Sequence, residues 1–186
     1  MKPPGLILNV MDMPRLRAAI GSLLFLLIAP GTLAGLVPWW LTGWAIHDWP
    51  QPYATPLRLV GAVLIVLGVP ALLHAFARFV LEGLGTPAPV APPEHLVVGG
   101  LYRYVRNPMY IAVIATIVGQ ALVLAQPGLL LYAVVVAAAM VAFVYAYEEP
   151  TLSEQFGAEY DAYRQAVPGW WPRLHPWRPQ NEASDW

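Results

Sequence analysis

Two short polar clusters stand out in a chain that is otherwise apolar: Arg106-Asn107-Pro108-Met109-Tyr110, and Glu148-Glu149-Pro150. Asparagine is a favoured residue just before a helix and proline is favoured at its first position, so Asn107-Pro108 reads as a helix start. That leaves Arg106, and Tyr102 and Tyr104 crowding the approach to it, open to a chemical role or to an ordinary cationic and aromatic belt at a membrane surface. The glutamates are expected at the C-terminal end of an apolar helix. The helix dipole there disfavours each by about 0.3 to 1 kcal/mol, and the two carboxylates repel one another. A compensating cation is therefore expected, either Arg106 or a ligand. A helix N-terminus attracts carboxylate or phosphate, and glutamates attract ammonium or sulfonium, so the two clusters together suit a zwitterionic ligand.

The elements that must carry these clusters are membrane helices. The chain of 186 residues is 58% hydrophobic and only 11% charged, against roughly 25% charged in an ordinary soluble domain. A hydrocarbon core about 30 Å thick needs about 20 apolar residues. Four stretches approach or meet that length, at 18–37, 57–80, 107–125 and 128–147. The expected fold is therefore all-α, a single integral-membrane domain over 1–186. The last two stretches are separated only by Ala125-Gln126-Pro127 and form an antiparallel hairpin. At 1.5 Å per residue both clusters lie about 27 to 32 Å from that turn, hence level in depth.

Lys2, Arg15, Arg17, Arg78, Arg103, Arg106, Arg164, Arg173 and Arg178 fall on one side of a four-helix threading and Arg58 on the other. Basic residues in short loops collect on the cytoplasmic side, so both termini are expected inside, with the polar clusters facing the cytoplasm. Trp39, Trp40, Trp44 and Trp49 would belt the far surface, and Trp170, Trp171 and Trp177 the near one. The first apolar run continues into Trp-rich sequence without a short core and small-residue cleavage site, so it reads as a transmembrane helix rather than a signal peptide. The Pro-rich stretch from Gly83 to Pro93 reads as an extended loop. Cysteine is absent and the four histidines show no metal-ligand spacing, so no metal is expected. A net charge of −1 gives no reason to expect nucleic acid.

Thr151-Leu152-Ser153-Glu154 has the spacing of a capping box. After it, Leu152, Phe156, Tyr160, Tyr163 and Val167 mark one apolar face of a helix at about 151–166, with a bend expected near Phe156-Gly157. This amphipathic helix would lie on the membrane, and because it starts at the glutamates it could roof a pocket there. His74 and Arg78, one turn apart near membrane depth, are candidates for binding a substrate, or for snorkelling to the surface.

The stretch Leu96-Val97-Val98-Gly99-Gly100-Leu101-Tyr102-Arg103-Tyr104-Val105-Arg106-Asn107-Pro108-Met109-Tyr110, then Tyr147-Glu148-Glu149-Pro150, then Phe156-Gly157-Ala158-Glu159-Tyr160-Asp161-Ala162-Tyr163-Arg164, resembles three motifs of one superfamily in order. It is the membrane methyltransferase superfamily of isoprenylcysteine carboxyl methyltransferases and phosphatidylethanolamine N-methyltransferases. The resemblance covers roughly residues 70 to 175. It implies a transferase that uses S-adenosylmethionine on the cytoplasmic side, under the C-terminal segment, with a lipophilic small molecule or lipid as acceptor. By matching position, Gly100, Leu101 and Tyr102 would shape the cofactor wall, and Asn107, Pro108 and Tyr110 the helix start facing it. Glu148 and Glu149 would hold the cofactor's ammonium or ribose hydroxyls, and Arg106 would orient the acceptor or the cofactor carboxylate. Arg106 and Glu148 are the catalytic candidates, with His74 and Arg78 toward the acceptor. Asn107 stands where the carboxyl methyltransferase branch usually has histidine, which leans toward the phospholipid branch, while the tail leans the other way. A carboxyl, amine or thiol acceptor stays open. The competing readings are a non-catalytic membrane subunit that binds a lipid or partner, and a membrane reductase, for which the chain has no convincing phosphate loop.

Overall fold

A computed structural model describes residues 13–83 and 95–178. Most of the Pro-rich stretch, and Lys2, lie outside the described residues. Among those described the chain is all helix and irregular connection, with no strand. In order these are α1 (Met13–Gly31), α2 (Val37–Thr42), α3 (Ala54–Arg78), α4 (Pro108–Leu124), α5 (Pro127–Phe143), α6 (Glu149–Phe156) and α7 (Ala158–Ala166). Wide π turns at Thr32–Leu36 and Val144–Glu148 join α1 to α2 and α5 to α6, and a third, Phe79–Gly83, extends α3. Three continuous helices are long and apolar enough to cross a membrane: Ala19–Thr42, Ala54–Arg78 and Pro127–Phe156. The apolar helix between the last two of these, α4, is 17 residues long, about 25 Å at the helical rise.

Two helices run further than the sequence reading expects. The first passes 37 and ends at Gly43, whose left-handed φ of 57° closes it. Pro38 lacks the N–H that would bond the Ala34 carbonyl. The π turn spreads the freed oxygens, so that Ala34 O accepts from Gln120 Nε2 at 2.6 Å and Leu33 O from the Tyr132 hydroxyl at 3.0 Å. Two side chains from α4 and α5 thus hold α1 where it widens. The fourth helix does not stop at Glu148-Glu149 but continues to Phe156, because the π turn before Glu149 lets Pro150 sit in the first turn of α6. The capping box is likewise absent. The Thr151 hydroxyl donates back to Tyr147 O at 2.7 Å, inside the continuous helix.

The core forms where α3, α4 and α5 meet, around Leu72, Phe76, Val113, Ile117, Val136 and Met140. Along α3 and α4 a seam of small residues replaces large side chains. A Cβ on Gly119 would sit 2.7 Å from Gly61 O, and one on Gly68 would sit 2.8 Å from Thr116 Oγ1. In an apolar solvent, helix association depends on such close approach. Gly119→Val is therefore expected to lower stability by about 1 to 3 kcal/mol through overpacking. Unfolding in detergent measures it, and a loss under about 0.5 kcal/mol would show that the helices part without cost.

At the end remote from the polar clusters, the 43–53 connection is tied to the α4–α5 turn. His47 N donates to Leu124 O at 2.9 Å, and Trp49 Nε1 to Leu122 O at 2.8 Å. Trp39, Trp40 and Trp44 are exposed there, whereas Trp49 turns inward. At the other end Trp171 is exposed, but Trp170 packs against Tyr110 and Trp177 against Tyr163. These two tryptophans are half-buried by those ring contacts.

Candidate functional site

The clusters meet as their matched depth requires. Arg106 Nη1 donates to Glu149 Oε1 at 2.6 Å and to the Tyr160 hydroxyl at 3.1 Å, while Nε donates to Val167 O at 2.9 Å. Arg164 Nη1 lies 3.6 Å from the other Glu149 oxygen. Glu149 is thus held between two arginines in the middle of a helix, and the expected conflict with a C-terminal dipole does not arise there. Glu148, one residue earlier, points elsewhere and accepts from the Tyr110 hydroxyl at 2.6 Å. Its other oxygen accepts no hydrogen bond among the described residues.

A strap completes the arrangement. Gly157, with φ of 53°, ends α6 and turns the chain into α7, at the bend expected near Phe156-Gly157. Leu152, Phe156, Tyr160, Tyr163 and Val167 then gather in one cluster against Leu96 and Val98. The chain returns beside the 103–107 segment. Arg106 N donates to Pro168 O, Asn107 N to Gly169 O, Arg173 N to Tyr104 O and Trp177 N to Arg103 O, at 2.9 to 3.2 Å. The Tyr163 hydroxyl donates to Tyr102 O at 2.7 Å.

Asn107 occupies the N-cap position with Pro108 at N1, as the sequence predicts, yet its side chain makes no capping bond. Instead, Asn107 is buried with Nδ2 unpaired, beside Gly169. The first helical bond runs from Ile111 N to Asn107 O, so the N–H groups of Met109 and Tyr110 have no intrahelical acceptor.

These groups surround a cavity of about 200 Å³. Arg106, Asn107, Tyr110, Glu148, Glu149 and Tyr160 line its polar end, with Tyr102, Pro108 and Tyr163 adjoining. Phe25 and Leu33 of the first helix, Val113 of α4, and Met140 and Phe143 of α5 line an apolar end. Of the residues singled out by sequence, Gly100, Leu101, His74 and Arg78 do not line this cavity. His74 and Arg78 instead crowd Gly100, and Leu101 faces a shallower apolar groove between α3 and α4. Sequence reading missed the first-helix wall, the Tyr160 contact and the inward Trp170. The apolar spacing that placed Tyr160 on the inner face of its helix was the only signal for any of them.

Burial alone would lower the Arg106 guanidinium, but its hydrogen bond to Glu149 and the nearby carboxylate charge outweigh it, so the net shift is upward. Burial, reinforced by Tyr163, pushes the Tyr102 hydroxyl well above its ordinary value, and burial likewise raises Tyr163 and Tyr160. With folded values raised, the contribution of these tyrosines to stability is complete below the unfolded value near 10 and is lost as pH rises beyond it. Melting temperature in detergent is expected to hold between about pH 7 and 9.5 and to fall above about pH 10. A flat profile to pH 11 would contradict the tight burial of these hydroxyls.

No curated protein sequence and no solved structure matched the chain. The family model for phospholipid methyltransferase matches residues 57–159, from α3 through the start of α7 and across both polar clusters. The chain belongs to the phospholipid methyltransferase family.

Proposed function

We propose that the protein is an S-adenosylmethionine-dependent methyltransferase acting on a lipophilic, membrane-embedded acceptor. The observation that carries this reading is the bipolar cavity. At one side Glu148 offers a carboxylate oxygen with no partner among the described residues, and at another Asn107 offers a buried N–H donor with none among them, beside the open start of α4. A ligand with both an ammonium and a carboxylate satisfies both ends, and burying such groups without partners would be costly. The donor set therefore fits the cofactor. Glu148 would receive its amino group or ribose hydroxyls, and Asn107 with the first turn of α4 would receive its carboxylate. Tyr102, Pro108 and Tyr110 would wall it.

When bound, S-adenosylmethionine supplies an electrophilic methyl group. The chain's own residues have to align the acceptor and exclude water. The apolar end, lined by Phe25, Leu33, Met140 and Phe143, suits a hydrocarbon portion of the acceptor. A carboxylate or thiolate acceptor needs no base. An amine must lose a proton, and Glu148 can take it only if its second oxygen receives the acceptor's amine and not the cofactor's amino group. The basic residues favour both termini and the polar end on the cytoplasmic side of a four-helix, single-domain membrane protein.

Incubating membranes that contain the protein with methyl-labelled S-adenosylmethionine, and identifying the labelled product by mass spectrometry, tests the activity and names the acceptor. Folded, purified protein that fails to bind S-adenosylmethionine or S-adenosylhomocysteine would reject the reading in favour of a non-catalytic lipid-binding subunit.

A further inference from the structure

His74, Arg78 and Glu82 follow one another at four-residue spacing along one face of α3 and the turn that extends it. None of them lines the cavity. All three converge on the Gly99-Gly100 turn. Glu82 Oε1 accepts from Arg78 Nη1 at 2.6 Å, and Oε2 accepts from the backbone N–H of Gly99 at 2.9 Å. Gly99 is buried, so no solvent replaces that acceptor. A methyl group on Gly99 would run into the Glu82 carboxylate, and one on Gly100 into the His74 ring and, at 2.8 Å, Arg78 Nε. Gly100 also has a left-handed φ of 56°, which opens the short 3-10 turn Gly100–Arg103.

That turn is the start of the cavity wall. Leu96 and Val97 before it and Tyr102 within it line the cavity, and three residues beyond it the chain reaches Arg106. Tyr102 is buried against Ala75 and Phe79 of the same helix, its ring 5.8 Å from that of Phe79. Apolar packing of this kind sets distance but resists sliding poorly. A directional contact that ties the turn to the α3 extension is the bond from Gly99 N to Glu82.

We infer that Glu82 is a positioning residue: with Arg78 and His74 it braces the Gly99-Gly100 turn and so sets the register of the wall that receives the methyl donor. Arg78 acts here by holding the Glu82 carboxylate, and Arg78 and His74 together leave no room for a side chain at Gly100. The inference rests on the proposed donor site for its effect on affinity, and on backbone geometry alone for its effect on the turn.

The test compares wild-type protein with Glu82→Ala, Glu82→Gln and Gly100→Ala in detergent. Titration with S-adenosylhomocysteine and thermal unfolding are read together with hydrogen exchange of peptides covering 96–106. Glu82→Ala removes the acceptor for Gly99. It is expected to weaken affinity roughly tenfold and to speed exchange at 99–103, with melting moved by only a few degrees. Glu82→Gln keeps a carbonyl acceptor for Gly99 while losing the charge pair, and is expected to restore affinity to within about threefold and to restore protection. Gly100→Ala, which pushes His74 and Arg78 away, is expected to weaken affinity with Glu82 intact, and decides the matter if Glu82→Ala does not fold. Affinity and exchange unchanged in Glu82→Ala, or in Gly100→Ala where that variant decides, would overturn the brace. So would a Glu82→Gln variant no better than Glu82→Ala, with affinity and melting falling together. If wild type binds no ligand, the donor site fails, and exchange still decides the brace.

Discussion

Glu148→Gln is expected to leave the protein folded and to weaken S-adenosylhomocysteine binding by about 10- to 100-fold, the equivalent of the roughly 1.5 to 3 kcal/mol carried by a hydrogen bond to a charged partner. The reasoning is geometric. One oxygen of Glu148 is held by the Tyr110 hydroxyl at 2.6 Å, which aims the carboxylate, and the other is uncommitted among the described residues. Glutamine preserves the size and an acceptor for Tyr110 but removes the charge that an ammonium group needs. Calorimetric titration, with a melting curve on the same sample, separates ligand loss from fold loss. Affinity unchanged within a factor of two would remove Glu148 from the ligand site.

Glu149→Ala is expected to do the opposite, costing stability first, by about 3 to 5 kcal/mol. The side chains of Arg106 and Glu149 are only 12% and 10% exposed, so deleting the carboxylate leaves a guanidinium with little water to turn to. Arg106 also holds the Val167 carbonyl and the Tyr160 hydroxyl, which ties the loss of charge balance to the strap. Denaturant unfolding measures the effect, and Glu149→Gln should recover part of it by accepting from Nη1. A loss below about 1 kcal/mol would mean that the Arg106–Glu149 pair is not holding the fold. If both results are obtained, two adjacent glutamates, equivalent in sequence, divide into one that serves the ligand and one that serves the protein.

The sequence made the meeting of the clusters legible, because the hairpin turn at Ala125-Gln126-Pro127 and the near-equal arm lengths set depth by arithmetic. It also located the start of α4 at Asn107-Pro108 and the bend at Gly157, where single residue types dominate local backbone preference. It misjudged the end of the last apolar helix, since the apolar run stops at 147, Thr151 reads as a new cap, and nothing in local propensity announces the π turn that carries the helix through Pro150. The placement of His74 and Arg78 beside the Gly99-Gly100 turn, some 20 residues on, was not legible for a different reason: Glu82, which accepts from both Arg78 and the Gly99 N–H, looks like an ordinary surface residue in the sequence. Trp170 and Trp177 resemble belt tryptophans until the strap's backbone bonds to 103–107 bring them inward. Long-range main-chain pairing leaves no periodic trace.

The strap also has a consequence for how the protein is made. The segment 103–107 emerges from the ribosome long before residues 167–177, its hydrogen-bonding partners. The apolar helices can insert and associate as each is synthesised. The polar end of the cavity can close only after Trp177 has been added. Membrane integration and acquisition of the site are therefore separate events in the life of the chain, and a nascent chain halted before Val167 would be lodged in the bilayer without a finished pocket.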